Sequence, residues 1–272
     1  MQTIILGSGS PLPHPDRAGP ATLVRAGGKD FLFDCGRAVL MRAMSVGAAA
    51  PSLAGVFITH LHSDHVTDFN DVVTTRWVMS PGPNPLPVYG PVGTSRFADD
   101  TIRMLGQDIG YRTAHHDDLN EGPELMVSEH AEGLVLEEDG IRITCAPTDH
   151  SPVHPTLGYR IEAEGQVVAI AGDTVPCEGL ASICQGADVY VQTVIRSEII
   201  EKAPMKRMRD VQDYHSDVQQ AARTAEENGV KTLILNHLVP PPKPDQEPEI
   251  AAQAKAHFSG EVIVARDLTM IS

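Results

Sequence analysis

No apolar run in the chain approaches the roughly 20 residues that a membrane-spanning helix needs. Its opening, MQTIILGSGS, lacks both a basic n-region and an apolar stretch long enough for a secretory leader. A cytoplasmic protein with no membrane partner is therefore expected. The cysteines, Cys35, Cys145, Cys177 and Cys184, form no CxxC pair. That argues against a zinc ribbon or a thioredoxin-type site, and a reducing compartment gives little reason for disulfides. Positive charge is also short: 21 Lys and Arg stand against 36 Asp and Glu, for a formal net charge of −15. Such a surface repels phosphate backbones, so nucleic acid is not expected as a partner unless a local basic patch intervenes. A phosphate loop of GxGxxG type is excluded as well, because Leu12 stands where the third glycine belongs. Gly7 and Gly9 instead suggest a tight turn.

What is present is an alternation of short strands and helices. TIILG reads as a strand, and ATLVRAGGKDFLFDCG as a hairpin around Gly27-Gly28. RAVLMRAMSVG has helical spacing with Gly47 as its stop. GVFIT reads as a buried strand, followed by a helix from Val66 to Met79 that SPGPNPLP ends. VGTSRFADDTIRMLGQDIG is a further helix. Five strands follow, LMVSEH, GLVLEE, IRITCAP, LGYRIEA and QVVAIAG. After them come strand ADVYVQT, helix DVQQAARTAEENG, strand KTLILNH, helix EIAAQAKAHF and strand EVIVAR. No linker marks a boundary, so one domain over residues 1–272 is expected, with two sheets packed between helices.

The chemistry concentrates in ITHLHSDH, which places His60, His62, Asp64 and His65 in one turn after a buried strand. Imidazole nitrogens and carboxylate oxygens are the ligands of zinc and similar ions. His60 and His62, two residues apart on extended backbone, leave on one side. Asp64 and His65 point differently as the chain turns into a helix, so one turn can feed two neighbouring ions. Each ion needs further ligands from other strand ends, and His150, Asp173 and His237 each follow an apolar strand as His60 does. Asp34, ending the strand FLFDCG, is a candidate carboxylate for orienting a ligand histidine. His14, His115, His116, His130 and His257 lie outside any such pattern.

THLHSDH resembles the signature turn of the metallo-β-lactamase superfamily. GSGSPLPHPDRAGPATLV, FDCGRAV, DHSPVHPTLGYRIE, AGDTVPCEGL and YHSDVQQAARTAEENGVKTLILNH extend the resemblance to the branch of ribonuclease Z and arylsulfatase-like enzymes. The resemblance implies an αββα sandwich of two mixed sheets flanked by helices, with two metals at one sheet edge. By motif it implies His60, His62 and His150 on one ion, Asp64, His65 and His237 on the other, and Asp173 between them. The usual metal of the family is zinc, with manganese or iron as alternatives. His215 in YHSDVQQ matches the additional catalytic histidine of the branch. Asp64 and His215 are thus the expected catalytic pair, Asp64 orienting or deprotonating water and His215 serving the leaving group.

Substrate is read from the stretch where the chain departs from that branch. Gln192-Thr193 stands where ribonuclease Z-like proteins commonly carry His-Glu, and no long basic arm is visible. The cluster KAPMKRMR suggests a lid whose Lys206, Arg207 or Arg209 meets an anionic substrate, and His154 lies where it can reach the same pocket. Met205 and Met208 fit a pocket for a hydrophobic small molecule equally well. The expectation is a dinuclear metal hydrolase of a small ester, first a phosphodiester or sulfate ester. A lactone or carboxylic ester is the alternative, and a metal-bound binding protein without turnover is a second alternative. Enzymes of this branch are often homodimers, and the apolar stripe of FNDVVTTRWVM with Trp77 suits either an interface or the core.

Overall fold

The computed structural model describes residues 1–272. Its first half supplies strands β1 (Gln2–Gly7), β2 (Ala21–Ala26), β3 (Lys29–Phe33), β4 (Leu53–Phe57), β5 (Leu86–Pro91) and β6 (Leu125–His130). The second supplies β7 (Gly133–Glu138), β8 (Ile141–Pro147), β9 (Leu157–Ala163), β10 (Gln166–Ile170), β11 (Val189–Ile195), β12 (Thr232–Val239), β13 (Glu261–Val264) and β14 (Thr269–Ile271). They form two seven-stranded sheets, in the orders β14-β1-β2-β3-β4-β5-β6 and β13-β12-β11-β10-β9-β8-β7. Both are mixed: β2–β3 is antiparallel and β3–β4 parallel, while β9–β10 is antiparallel and β10–β11 parallel.

Side-chain alternation along the strands builds three apolar layers. Phe31, Phe33 and Phe57 face Tyr159, Ile161, Val191 and Ile234 between the sheets. Leu32 and Val56 point the other way, into a layer shared with Val39, Phe69 and Val72 of the covering helices. On the opposite outer face Tyr190, Leu233 and Leu235 pack under Leu180, Ala221, Ala225 and Ile250. Helices therefore cover both outer faces of a sheet pair, which is the expected αββα sandwich.

Phe57 is the keystone of the middle layer, stacked on Phe33 at 4.8 Å and on Tyr89 at 4.7 Å, with Tyr159 edge-on at 5.7 Å. The Tyr159 hydroxyl crosses between the sheets to donate to the Ile58 carbonyl at 2.8 Å. The Leu157 amide makes a second crossing, to the Thr59 carbonyl at 2.9 Å. Both crossings fall immediately before His60, so the two sheets are locked together where the histidine turn leaves β4.

Some expectations need correction. The helix read from Val66 to Met79 is two helices, Ser63–Val66 and Phe69–Met79, because Asp68 interrupts the helical backbone with ψ 17°. There its carboxylate accepts the Ala38 amide at 2.5 Å, and its own amide donates to the Cys35 carbonyl at 3.0 Å. Strands β5 and β14 and the helix Glu178–Cys184 were not foreseen. Pro87 and Pro91 disguise β5, since proline is rare inside a paired strand. Trp77 is half-buried and donates its indole N–H to the Glu121 carbonyl at 2.9 Å, so its polar edge is spent within the chain.

Candidate metal centre

The site grows from strand ends at one edge of the sandwich. His60 follows β4, His150 follows β8, Asp173 follows β10, and Asp34 directly follows β3. His237 differs from expectation in lying inside β12 rather than after it. The β11–β12 register shifts between Thr193 and Ile195, and His237 takes a φ of 52° within that irregularity. A bulge of this kind re-aims a side chain that regular pleating would send elsewhere. Gly172, at φ 66°, brings the chain so close to Thr59 that a Cβ would lie 2.8 Å from the threonine Cβ. Only glycine combines that backbone with that approach. Gly7 likewise packs directly against the Gly19 carbonyl, a backbone contact rather than a phosphate loop.

The predicted ligands converge in two groups, His60 with His62, His150 and Asp173, and Asp64 with His65 and His237. All are buried except His62, which is half-exposed. Asp173 faces both groups: its Oδ2 lies 3.7 Å from His60 Nε2 and 3.9 Å from His150 Nε2 on one side, and 3.4 Å from His65 Nε2 on the other. His237 Nε2 sits 3.0 Å from Asp64 Oδ2, and His215 Nε2 3.2 Å from Asp173 Oδ2.

Hydrogen bonds on the outer nitrogens fix which atoms face inward. Asp34 Oδ1 accepts the Thr59 amide at 2.8 Å, and Oδ2 accepts the Thr59 hydroxyl at 2.9 Å and His65 Nδ1–H at 2.7 Å. With its proton committed to Asp34, the Thr59 oxygen accepts His60 Nδ1–H at 3.0 Å. One carboxylate therefore orients two histidines, His65 directly and His60 through Thr59. The Tyr214 carbonyl accepts His150 Nδ1–H at 2.8 Å, and the Val211 carbonyl accepts His215 Nδ1–H at 2.8 Å. Asp34 was legible as a strand-end carboxylate; Thr59 and the two carbonyls carry no sequence signal.

These bonds make the cluster a cation site by its own chemistry. With their Nδ1 protons turned outward, His60 Nε2 and His150 Nε2 present lone pairs. They lie 3.0 Å and 3.2 Å from His62 Nδ1, where a single proton cannot satisfy both. His65 Nε2 and Asp173 Oδ1 are buried with no hydrogen-bond partner at all. Leaving such atoms unpaired costs about 1–3 kcal/mol each, and divalent cations are what this nitrogen and oxygen donor set takes.

The electrostatics divide the histidines. Burial, reinforced by neighbouring imidazoles, pushes His60 well below its ordinary value and His150 down to about 4, so both are uncharged near neutrality. Burial also opposes charge on His65, but Asp173 and Asp34 outweigh it and raise that imidazole well above its ordinary value. For Asp173 burial is outweighed by His237, His65 and His215, and the carboxyl is held well below its usual range.

The proposed substrate residues do not join the cluster. His154 is exposed on its loop. Lys206 pairs with Asp210 at 2.9 Å, and Arg209 donates to the Ala203 carbonyl at 2.6 Å. Arg207 is exposed and engages no group of the chain. Those three lie in the segment between β11 and His215, folded as short helices Lys206–Arg209 and Asp210–Asp213. Asp217, not His215, caps the following helix Val218–Glu227, accepting the Gln220 amide at 2.7 Å. Gln192 is buried and holds the Tyr190 hydroxyl, while its amide donates to the Thr193 carbonyl at 2.7 Å. Neither Gln192 nor Thr193 hydrogen-bonds His215.

A family model described as a beta-lactamase superfamily domain matches residues 29–238. A protein named Ribonuclease Z from Mycobacterium avium is 51% identical over 270 residues, covering 98% of this chain and 96% of the relative. One of the same name from Mycobacterium tuberculosis H37Rv is 49% identical over the same shares. Among solved structures, human tRNase Z, short form, superposes with a TM-score of 0.74 at 23% identity, over 100% of this chain and 99% of that one. The metallo-beta-lactamase fold protein YhfI from Bacillus subtilis has the same TM-score and identity, over 99% and 98%. The structures share the fold. The half-identical relatives overturn the expectation that nucleic acid is no partner: net charge describes the whole surface, whereas substrate meets only the few groups around one site. With the histidine–aspartate cluster at the sheet edge, the chain belongs to the metallo-β-lactamase superfamily and is a metal-dependent hydrolase.

Proposed function

We propose that the protein is a dinuclear phosphodiesterase that cleaves RNA, with residues 1–272 acting as one unit. The observation that carries this reading is the end-to-end match, at half identity, to proteins named Ribonuclease Z. In the proposed assignment His60, His62 and His150 hold one cation, Asp64, His65 and His237 the other, and Asp173 reaches both. Zinc would fit this nitrogen-rich set, and manganese or iron also take imidazole and carboxylate ligands. Bound there, two divalent cations supply the positive charge that acidifies water and offsets negative charge developing on the phosphoryl group.

The chain's own groups handle protons and position. Asp64, held by His237, offers a carboxylate oxygen that takes a proton from the attacking water. Burial disfavours the His215 imidazolium, but Asp173 outweighs it and the group titrates above its ordinary value. Its Nδ1–H is fixed on the Val211 carbonyl, so the proton it gives up comes from Nε2, toward the leaving oxygen. Arg207, exposed and unpaired in the segment before His215, meets backbone phosphates.

The test is cleavage of a transfer-RNA precursor with a 3′ extension by the zinc- or manganese-loaded protein, beside bis(p-nitrophenyl) phosphate. We expect a single endonucleolytic product, lowered at least about 10²-fold by His215→Ala, the usual scale for lost acid catalysis. A fully loaded protein that leaves the RNA intact overturns this reading. Turnover of the small diester alone, with the RNA left intact, likewise overturns it.

A further inference from the structure

Beneath the metal cluster, between the two sheets, lies a cavity of about 20 Å³. That is room for about one water molecule. Every one of its 11 lining residues is buried. Among them are Asp34, just past β3 of the first sheet, His65 of the helix Ser63–Val66, and Thr193 and Asn236 of the second sheet, with Thr22 at one wall. Asn236 is 5% exposed, yet its Oδ1 is buried without a hydrogen-bond partner. A carboxamide has four hydrogen-bonding positions, and a buried one left unmatched is costly. Thr22 and Thr193 add hydroxyls that bond to no other side chain. Asp34 Oδ1 accepts only the Thr59 amide, and so keeps a lone pair for another donor. A space of one-water size between buried residues, with several free partners among its polar groups, meets the conditions for a structural water.

We propose that this cavity holds one buried water, and that through it Asn236 acts as a positioning residue for the Asp34–His65 pair. The water accepts from or donates to Asn236 and Thr193 on the second sheet and donates to Asp34 Oδ1 on the first. It thereby completes the hydrogen bonding of the carboxylate that fixes His65 Nδ1 and, through Thr59, His60 Nδ1. Asn236 precedes His237 and pairs in register with Thr193, so the same link ties the His237 bulge to the opposite sheet. The positioning role rests on the reading of His60 and His65 as metal ligands, whereas the water itself does not.

A high-resolution crystal structure of the full chain is the first test. It should show one water about 2.7–3.2 Å from both the Asn236 amide and Asp34. A cavity without density, or one closed by a side chain, overturns the proposal. Chelator competition for zinc is the second test. Asn236→Leu, nearly the same size but apolar, should lose about tenfold in affinity, the lower end for orienting partners of metal ligands. Asn236→Ser, which keeps a polar partner, should recover most of it. Thr193→Val removes a different partner of the same water and should fall in the same direction, so the test survives if Asn236→Leu fails to fold. Unchanged zinc affinity in folded Asn236→Leu or Thr193→Val overturns the positioning role. Failure of the underlying metal-site reading looks different: the unaltered protein then takes up no zinc at all.

Discussion

Replacing Asp34 by Asn keeps the size of the side chain and removes its charge. The carboxylate accepts three hydrogen bonds, from the Thr59 amide, the Thr59 hydroxyl and His65 Nδ1–H, at 2.8, 2.9 and 2.7 Å. An asparagine has one oxygen and one NH2 group. If the NH2 takes the Oδ2 place, it meets two donors, and His65 loses the partner that fixes its tautomer. Hydrogen bonds to a charged group contribute about 1.5–3 kcal/mol each, so the cluster's geometry loses a support of that order. Part of the loss falls on folding and part on metal affinity, where outer partners of ligating histidines are worth roughly 10–100-fold. We expect Asp34→Asn to bind zinc about 10–100-fold more weakly in chelator competition, with stoichiometry falling at limiting metal. Far-ultraviolet circular dichroism should stay the same, because Asp34 lies beyond the end of β3. Affinity within twofold of the unaltered protein would falsify the claim that one carboxylate orients both histidines.

Two further perturbations probe the frame around that group. His150 is uncharged in the folded metal-free protein, because burial pushes it down to about 4 from 6.5. It takes up a proton on unfolding between those values, so its stabilisation is whole above pH 6.5 and fades as pH falls to about 4. The drop amounts to about 3 kcal/mol at ~1.4 kcal/mol per pH unit. Urea midpoints of chelated His150→Gln should therefore fall less steeply with acid over this range than those of the unaltered protein, and parallel slopes would contradict the assignment. Gly172→Ala combines a φ of 66° with a Cβ 2.8 Å from Thr59, and should cost more than about 1 kcal/mol. Thermal melting checks it, and an unchanged melting temperature together with unchanged zinc affinity would show that the Gly172–Thr59 approach has slack.

The sequence was most legible where ligands are local or tied to strand ends. HLHSDH places four donors on one turn, and apolar runs announce the strands that carry His150 and Asp173, so the ligand candidates were legible locally and the family resemblance divided them into two groups. The same holds for Asp34, a charged residue ending an apolar strand. Legibility failed where geometry overrides pattern. The bulge at His237 is a register shift between two chain segments, which no single segment encodes. Strand β5 hides behind Pro87 and Pro91, and three-residue β14 is defined by its pairing with β1. The break at Asp68 comes from a carboxylate taken by a distant amide.

Composition misled on the partner. A net charge of −15 averages the whole surface, whereas a substrate meets only the groups around one site. Of the basic cluster before His215, Lys206 and Arg209 are already spent on Asp210 and the Ala203 carbonyl.

By itself, then, the sequence determined two sheets packed between helices and the identity of the ligand candidates, because residue chemistry and strand periodicity are local properties; the reaction type followed from the family resemblance of its motifs. Only the tertiary structure decided which nitrogen of each histidine faces inward. That choice depends on Thr59, Asp34 and the Tyr214 and Val211 carbonyls, partners brought together from three separate stretches of chain. The tertiary structure likewise decided that Lys206 and Arg209 are paired within the chain, and that a small cavity lies between the sheets beside Asp34 and His65. Hydrogen-bond partners and voids arise from packing, and packing is set by the whole chain at once.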